Sequence, residues 1–148
     1  MRRPAHVVGS IGLHYVCYRL AREGWNVMPT TRNARGVDAV VYSQSGRKKK
    51  TVQVKALSKR SPVPMGASAD AGTMADFLVV CLNVQSEKPE CFVLRAREIP
   101  RVLHEVGGKD DRSCWLETRE CEAQPFREAW HRIGRGDDGR HAVRPART

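Results

Sequence analysis

Two short runs, Val37-Asp38-Ala39-Val40-Val41-Tyr42 and Thr51-Val52-Gln53-Val54-Lys55-Ala56-Leu57, constrain this chain more than any other stretch. Both are rich in β-branched residues, and Ser43-Gln44-Ser45-Gly46 between them is turn material, so the whole reads as a β-hairpin. Successive side chains of a strand point to opposite faces. Asp38, Val40 and Tyr42 therefore share a face of the first arm. In the second arm Gln53 and Lys55 share a face, while Val52, Val54 and Ala56 take the other. A register that pairs Tyr42 with Thr51 sets Asp38 opposite Lys55 and diagonal to Gln53. A carboxylate, an amide and an ammonium then meet on one patch.

That combination suits phosphodiester hydrolysis. A divalent cation such as Mg²⁺ (or Mn²⁺) prefers hard oxygen ligands, and Asp38, the Gln53 side-chain carbonyl and the Val54 main-chain carbonyl are such oxygens. A cation held there would polarise the phosphate and lower the pKa of an attacking water. Lys55 would orient that water or offset charge building on the phosphate. The same residues also describe a cross-strand Asp–Lys pair beside a solvated Gln, an arrangement typically contributing about 0.2–1 kcal/mol. Spacing alone does not separate the two readings.

Gly36-Val37-Asp38, followed by Val52-Gln53-Val54-Lys55, resembles the core of the PD-(D/E)XK nuclease superfamily. The likeness is to the form in which Gln takes the acidic position of the last triplet, as in Holliday-junction resolvases and Mrr-like restriction endonucleases. It covers residues 10 to 60 well, including an upstream helix and Gly24-Trp25-Asn26-Val27, and the remainder loosely. The resemblance implies an α/β, restriction-endonuclease-like fold with a mixed central β-sheet flanked by helices. It implies Asp38 and Gln53 as metal ligands, Lys55 as the catalytic lysine, DNA as substrate and, by likeness to the resolvases, a homodimer. Family members often carry a Glu on the first helix; the matching position here is Leu13.

The formal net charge of +10 and pI near 9.9 favour a polyanionic partner, nucleic acid above all. Residues 135–148 carry four Arg and two Asp, a net +2, so the body keeps the other +8. With 148 residues and 41% hydrophobic content the chain reads as one domain with a real core, over 1–134, followed by a disordered basic tail over 135–148. No apolar run is long enough for a transmembrane helix, and the basic start is followed by no apolar region of signal-peptide type. Five cysteines without C-x-x-C spacing read as reduced thiols in a cytoplasmic protein, not as a zinc site.

Along the chain, Ser10 reads as the N-cap of a helix over 11–23, with Leu13, Val16, Cys17 and Leu20 as its apolar stripe and Gly24 as its stop. His14 is placed to touch a phosphate or simply to stand on the surface. Trp25 to Pro29 reads as a strand, and Thr30 to Gly36 as a connecting loop in which hydroxyls, Arg32 and Arg35 suit phosphate contacts. Arg47, Lys48, Lys49 and Lys50 at the hairpin tip are placed to grip a nucleic-acid backbone, or to block edge-to-edge aggregation. Lys59 and Arg60 open a loop over 58–73 whose length suggests a substrate-facing element. Phe77–Leu82 and Cys91–Leu94 read as strands, the first buried on both faces. Pro100 opens a helix with Val102, Leu103 and Val106 inward, Ser113–Leu116 adds an edge strand, and Phe126, Trp130 and Ile133 mark a last amphipathic helix. The function these features point to is a metal-dependent DNA endonuclease. The alternative is a nucleic-acid-binding module of the same fold with weak or no turnover.

Overall fold

Val8, Gly12, Val16 and Leu20, spaced four apart, form the buried stripe of the first helix, α1, Ala5–Arg22. Pro4 supplies its start, since a proline at a helix entrance gives up no needed hydrogen bond. The expected Ser10 cap is therefore five residues inside the helix. The computed structural model describes residues 2–34, 36–66, 74–108 and 110–139, without the side chains of 32–34. Among these, no helix is long and apolar enough to cross a membrane.

After α1 come β1 (Asn26–Ala34), β2 (Val37–Tyr42), β3 (Lys49–Ala56), β4 (Val63–Gly66), β5 (Phe77–Leu82) and β6 (Glu90–Arg95). A 3₁₀ turn over Ala96–Glu98 leads into α2 (Ile99–Val102), then β7 (Leu103–Val106), β8 (Ser113–Leu116), α3 (Thr118–Glu122) and a 3₁₀ turn over Trp130–Arg132. Five strands make one mixed sheet in the order β1-β2-β3-β5-β6, antiparallel except for the β3–β5 pair. The other three make an antiparallel sheet in the order β4-β8-β7. The architecture is mixed α/β.

Two cores follow from this layering. The α1 stripe packs on Val41, Val52, Val79, Cys81 and Val93 of the large sheet, with Trp25, Trp130 and Ile133 closing its edges. Contact is closest at Gly12, where a Cβ would lie 2.3 Å from that of Ala56. On the opposite face Leu78, Val80, Leu82, Phe92 and Leu94 pack against Val63, Met65, Ile99, Val102, Leu116 and Phe126. Covered on both sides, β5 is buried at every position, as its unbroken apolar run required. The second layer covers β5 and β6 only; over β1 the same face stays open, and Met28 is 56% exposed.

Several expectations are corrected. The helix expected to open at Pro100 is present as the single turn α2 with Val102 buried, but it stops there. Leu103–Val106 is a strand pairing with Ser113–Leu116, which lies at the centre of the small sheet and not at an edge, and Val106 is 60% exposed. Phe126, Trp130 and Ile133 are buried, but on a chain of turns that bridges Arg127 to Phe92, not on one helix. The loop over 58–73 contains β4, and its residues 67–73 lie outside the described ones. Pro29 does not stop β1, because β1 is an edge strand where a missing N–H can face solvent. Residues 135–139, read as tail, are tied to the body. Gly136 N–H donates to the Glu23 carbonyl, and the Gly136 carbonyl accepts from Gln44 N–H. Residues 140–148 lie outside the described ones.

The C-terminal turns are anchored by a buried ion pair. Arg132 donates to the Glu98 carboxylate and to the Val93 carbonyl, while Glu98 also accepts from Arg95 N–H at 2.8 Å. Burial pushes the Glu98 carboxyl up, but Arg132 and the Arg95 N–H more than offset it and leave its pKa lowered. Glu98→Gln strands a buried guanidinium, so urea unfolding is expected to show a loss of about 3–5 kcal/mol at neutral pH. A lowered carboxylate stabilises above its unfolded pKa of about 4.3, and that contribution fades as pH falls through the folded value. Parent and variant are therefore expected to converge in acid.

Candidate active site

The β2–β3 ladder runs from Tyr42↔Lys49 through Val41↔Lys50 and Val40↔Thr51 to Ala39↔Val52. One step further, this register sets Asp38 opposite Gln53, with Lys55 on the diagonal. The expected register, Tyr42 with Thr51, is thus displaced by two residues. Because the displacement is even, faces are unchanged and Asp38, Gln53 and Lys55 still share one. Val54 and Ala56 pack toward α1, so Gln53 and Lys55 face away from it, beside Leu78 and Val80 of the neighbouring strand. The three residues lie where the covered half of that face meets the open half.

Ladder pairing ends at Ala39↔Val52 because the chain is irregular on both sides of Asp38. Between Pro29↔Ala39 and Ala34↔Val37, β1 has four residues against the single Asp38 of β2, a bulge directly across from the carboxylate. Thr30, inside that bulge, donates its hydroxyl to the Val37 carbonyl. Gly36 enters β2 at φ +81°, a conformation side chains resist, and a Cβ there would sit 3.5 Å from Gln53 Nε2. Freed from the ladder, Val54 N–H donates to Asp38 Oδ2 at 2.7 Å. A residue's N–H and C=O leave a strand on the same edge, so the Val54 carbonyl faces the same gap.

Gln53 Oε1 is buried and accepts no hydrogen bond, the one such side-chain atom among the described residues. An unsatisfied buried acceptor costs about 1–3 kcal/mol and asks for an explanation, a bound ion being one. The oxygens here come from one carboxylate, one amide and one main-chain carbonyl. No group of three or more His, Cys, Asp or Glu that could hold a metal exists among the described residues. Lys55 is half-buried and forms no ion pair with a described residue.

The fold is similar to that of a bacterial homing endonuclease. The likeness, to I-Ssp6803I, has a TM-score of 0.59 at 19% identity and covers 90% of this chain and 93% of that one. No family model and no curated protein matches the sequence.

On the helix, one side chain senses the charge of Asp38. Burial pushes the Cys17 thiol up, and the nearby negative charge of Asp38 adds to the effect. Leu13, one turn earlier, is half-buried on the same flank, beside the stripe and not on it. His14 is pinned back, its Nδ1 at 2.7 Å from the Ser10 carbonyl, on the exposed side.

The basic residues named from sequence fall into three groups. Arg35 and the side chain of Arg32 lie outside the description. Arg47, Lys48 and Lys49 are exposed at the tip, while Lys50 is half-buried. By alternation Lys49 shares the face of Asp38, and Lys50 looks to the α1 side. Asp138 holds this tip: its carboxylate accepts from Ser45 N–H at 3.0 Å and from the Ser45 hydroxyl at 2.8 Å. The Ser45 N–H is the main reason the Asp138 pKa is depressed to about 2. Lys59 is exposed and forms no ion pair with a described residue, whereas Arg60 is held by Glu90 and Glu122. Arg60 is thus engaged by two carboxylates of the protein while staying at the surface. Thr30 was expected as a phosphate contact in a loop and Cys17 as part of the apolar stripe. Their places in the bulge and beside Asp38 were not foreseen, because neither the bulge nor the helix flank has a periodic signal.

Proposed function

We propose that this protein is a metal-dependent DNA endonuclease of the PD-(D/E)XK type. The observation that carries the reading is the buried, unpartnered Gln53 Oε1 beside the Asp38 carboxylate. Both oxygens, with the Val54 carbonyl, are donors of the hard kind that Mg²⁺ or Mn²⁺ takes. When bound, such an ion supplies Lewis-acid polarisation of a phosphate and lowers the pKa of a nearby water. The chain's own contributions are distinct. Val54 N–H orients Asp38 through one oxygen, and the other accepts from no described residue. Gln53 adds an oxygen without charge, so the site is less anionic than one with two carboxylates. Lys55 brings a positive charge to the face where negative charge would build on the phosphate, and its partial burial strengthens that interaction.

The likeness in fold to a homing endonuclease supports DNA as substrate, as do the net charge and the exposed cations of the hairpin tip. A cleavage assay over linear, nicked, flapped and four-way DNA, with Mg²⁺, Mn²⁺ or chelator, tests the proposal. Cleavage of at least one substrate, lost with chelator, is expected; no cleavage with either metal overturns it. The second reading is a DNA-binding module without turnover. It is favoured by Leu13, an apolar residue where related enzymes often place a carboxylate, since a single carboxylate holds a divalent ion weakly.

A further inference from the structure

Directly after Lys55, the end of β3 runs into a group of hydrogen-bond donors brought together from three distant parts of the chain. An open cavity of about 360 Å³ is lined by Arg2, Ser58, Lys59 and Gln85. A neighbouring one of about 240 Å³ shares Arg2 and Ser58 and adds Arg3. No carboxylate of a described residue lines either cavity. Arg2, Arg3 and Lys59 form no ion pair with any described residue, unlike Arg60 next door. Two guanidinium groups, an ammonium, a hydroxyl and an amide around one hollow have an excess of donors that an oxyanion satisfies and a cation does not.

We infer that this hollow binds a backbone phosphate of the DNA strand that passes the candidate active site, an inference that rests on the DNA reading above. Position argues for a strand and not an isolated anion. Ser58 lies three residues past Lys55, a reach of at most about 11 Å. Duplex DNA rises about 3.4 Å along its axis per nucleotide, so the hollow lies within reach of a phosphate at most a few steps from the one facing Lys55. Arg2 and Lys59 then fix where along the strand Lys55 acts, which phosphate contacts do without reading sequence.

The test is equilibrium binding of the full chain to a fluorescent duplex in chelator, over a range of salt, for parent, Arg2→Ser/Lys59→Ser and Arg60→Ser. The double variant is expected to bind all sequences more weakly, with a log–log salt slope smaller by about 1, one phosphate fewer neutralised. Arg60→Ser is expected to leave the slope unchanged. All three substituted side chains are exposed, and melting curves confirm folding. An unchanged slope in the double variant overturns the inference, even if the parent cleaves DNA. A reduced slope without cleavage by the parent keeps the inference and removes the nuclease reading. Sodium phosphate against sodium chloride at equal ionic strength distinguishes the source. If phosphate raises the melting temperature of the parent and not of the double variant, while their DNA slopes agree, the hollow takes free phosphate and the strand path is overturned.

Discussion

Asp38→Asn is expected to lower metal-dependent DNA cleavage by at least about 10²-fold while leaving the melting temperature close to the parent's. The reason is the double duty of this side chain. One oxygen accepts the Val54 N–H, and the carboxylate charge faces the candidate cation site. Asparagine keeps an acceptor for Val54 and loses the charge. Asp38→Ala loses both, so the same fall in rate is expected together with about 1–3 kcal/mol of stability, from a main-chain donor left unpaired. Lys55→Ala removes the ammonium with its stem, strands no main-chain donor, and is expected to cut the rate with little loss of stability. Initial rates on plasmid DNA, read beside urea unfolding of each variant, separate these outcomes. If Asp38→Asn cleaves like the parent, the activity comes from elsewhere and Asp38 is a structural residue only. Binding is expected to move the other way, because removing an anion near the phosphate favours DNA.

How far the sequence could be read depended on whether a signal was local. The hairpin was legible because β-branched alternation and a polar turn are properties of consecutive residues. Its register was not: the displacement of two residues arises where β3 begins at Lys49, inside a run of four cations that reads as a tip. Faces survived the error because a shift of two preserves side-chain parity. The helix was legible through Val16 and Leu20, but its start was hidden, since Gly9 and Gly12 argue against a helix until Ala56 is seen to need the space of Gly12. Leu103 and Val106, three apart, match a helical face; in the strand that pairing with β8 imposes they fall on opposite faces, which leaves Val106 exposed. The last aromatics were correctly placed in the core and wrongly placed on a helix, because burial on two different cores holds them apart along a run of turns.

At the site, residue types carried Asp38, Gln53 and Lys55, while their surroundings came from tertiary structure. The bulge opposite Asp38, the Val54 N–H that the carboxylate accepts and the unpartnered Gln53 oxygen all follow from the end of a ladder, which has no signature in either strand alone. Arg60 and Lys59 look equivalent as neighbours in sequence. Glu90 and Glu122, 30 and 62 residues further on, take Arg60, while Lys59 pairs with no described residue. Arg2, its partner in the cavity, lies 57 residues back.

Leu13→Glu gives the sharpest test of whether the helix faces a metal. Leu13 is half-buried one turn before Cys17, whose thiol senses Asp38, so a carboxylate at 13 enters the field of another carboxylate. Burial and like charge both raise its pKa in the folded state. An acid whose folded pKa lies above its unfolded value destabilises once it must ionise. The deficit against the parent is therefore expected to be small in acid and to grow as pH rises above about 4.3, reaching several kcal/mol. A divalent ion reverses the sign of the local field. It binds only the folded protein, and a ligand at 100 times its Kd adds about 2.7 kcal/mol. With an extra oxygen donor the variant is expected to bind Mg²⁺ more tightly than the parent, so its melting temperature at neutral pH rises more with added Mg²⁺, and any cleavage rate rises with it. Asp38→Asn placed in the same chain is expected to remove most of that protection. Melting curves with Mg²⁺ and with chelator decide the matter. If Mg²⁺ protects the variant no more than the parent, position 13 does not look onto an ion, and the binding module becomes the better reading of this fold.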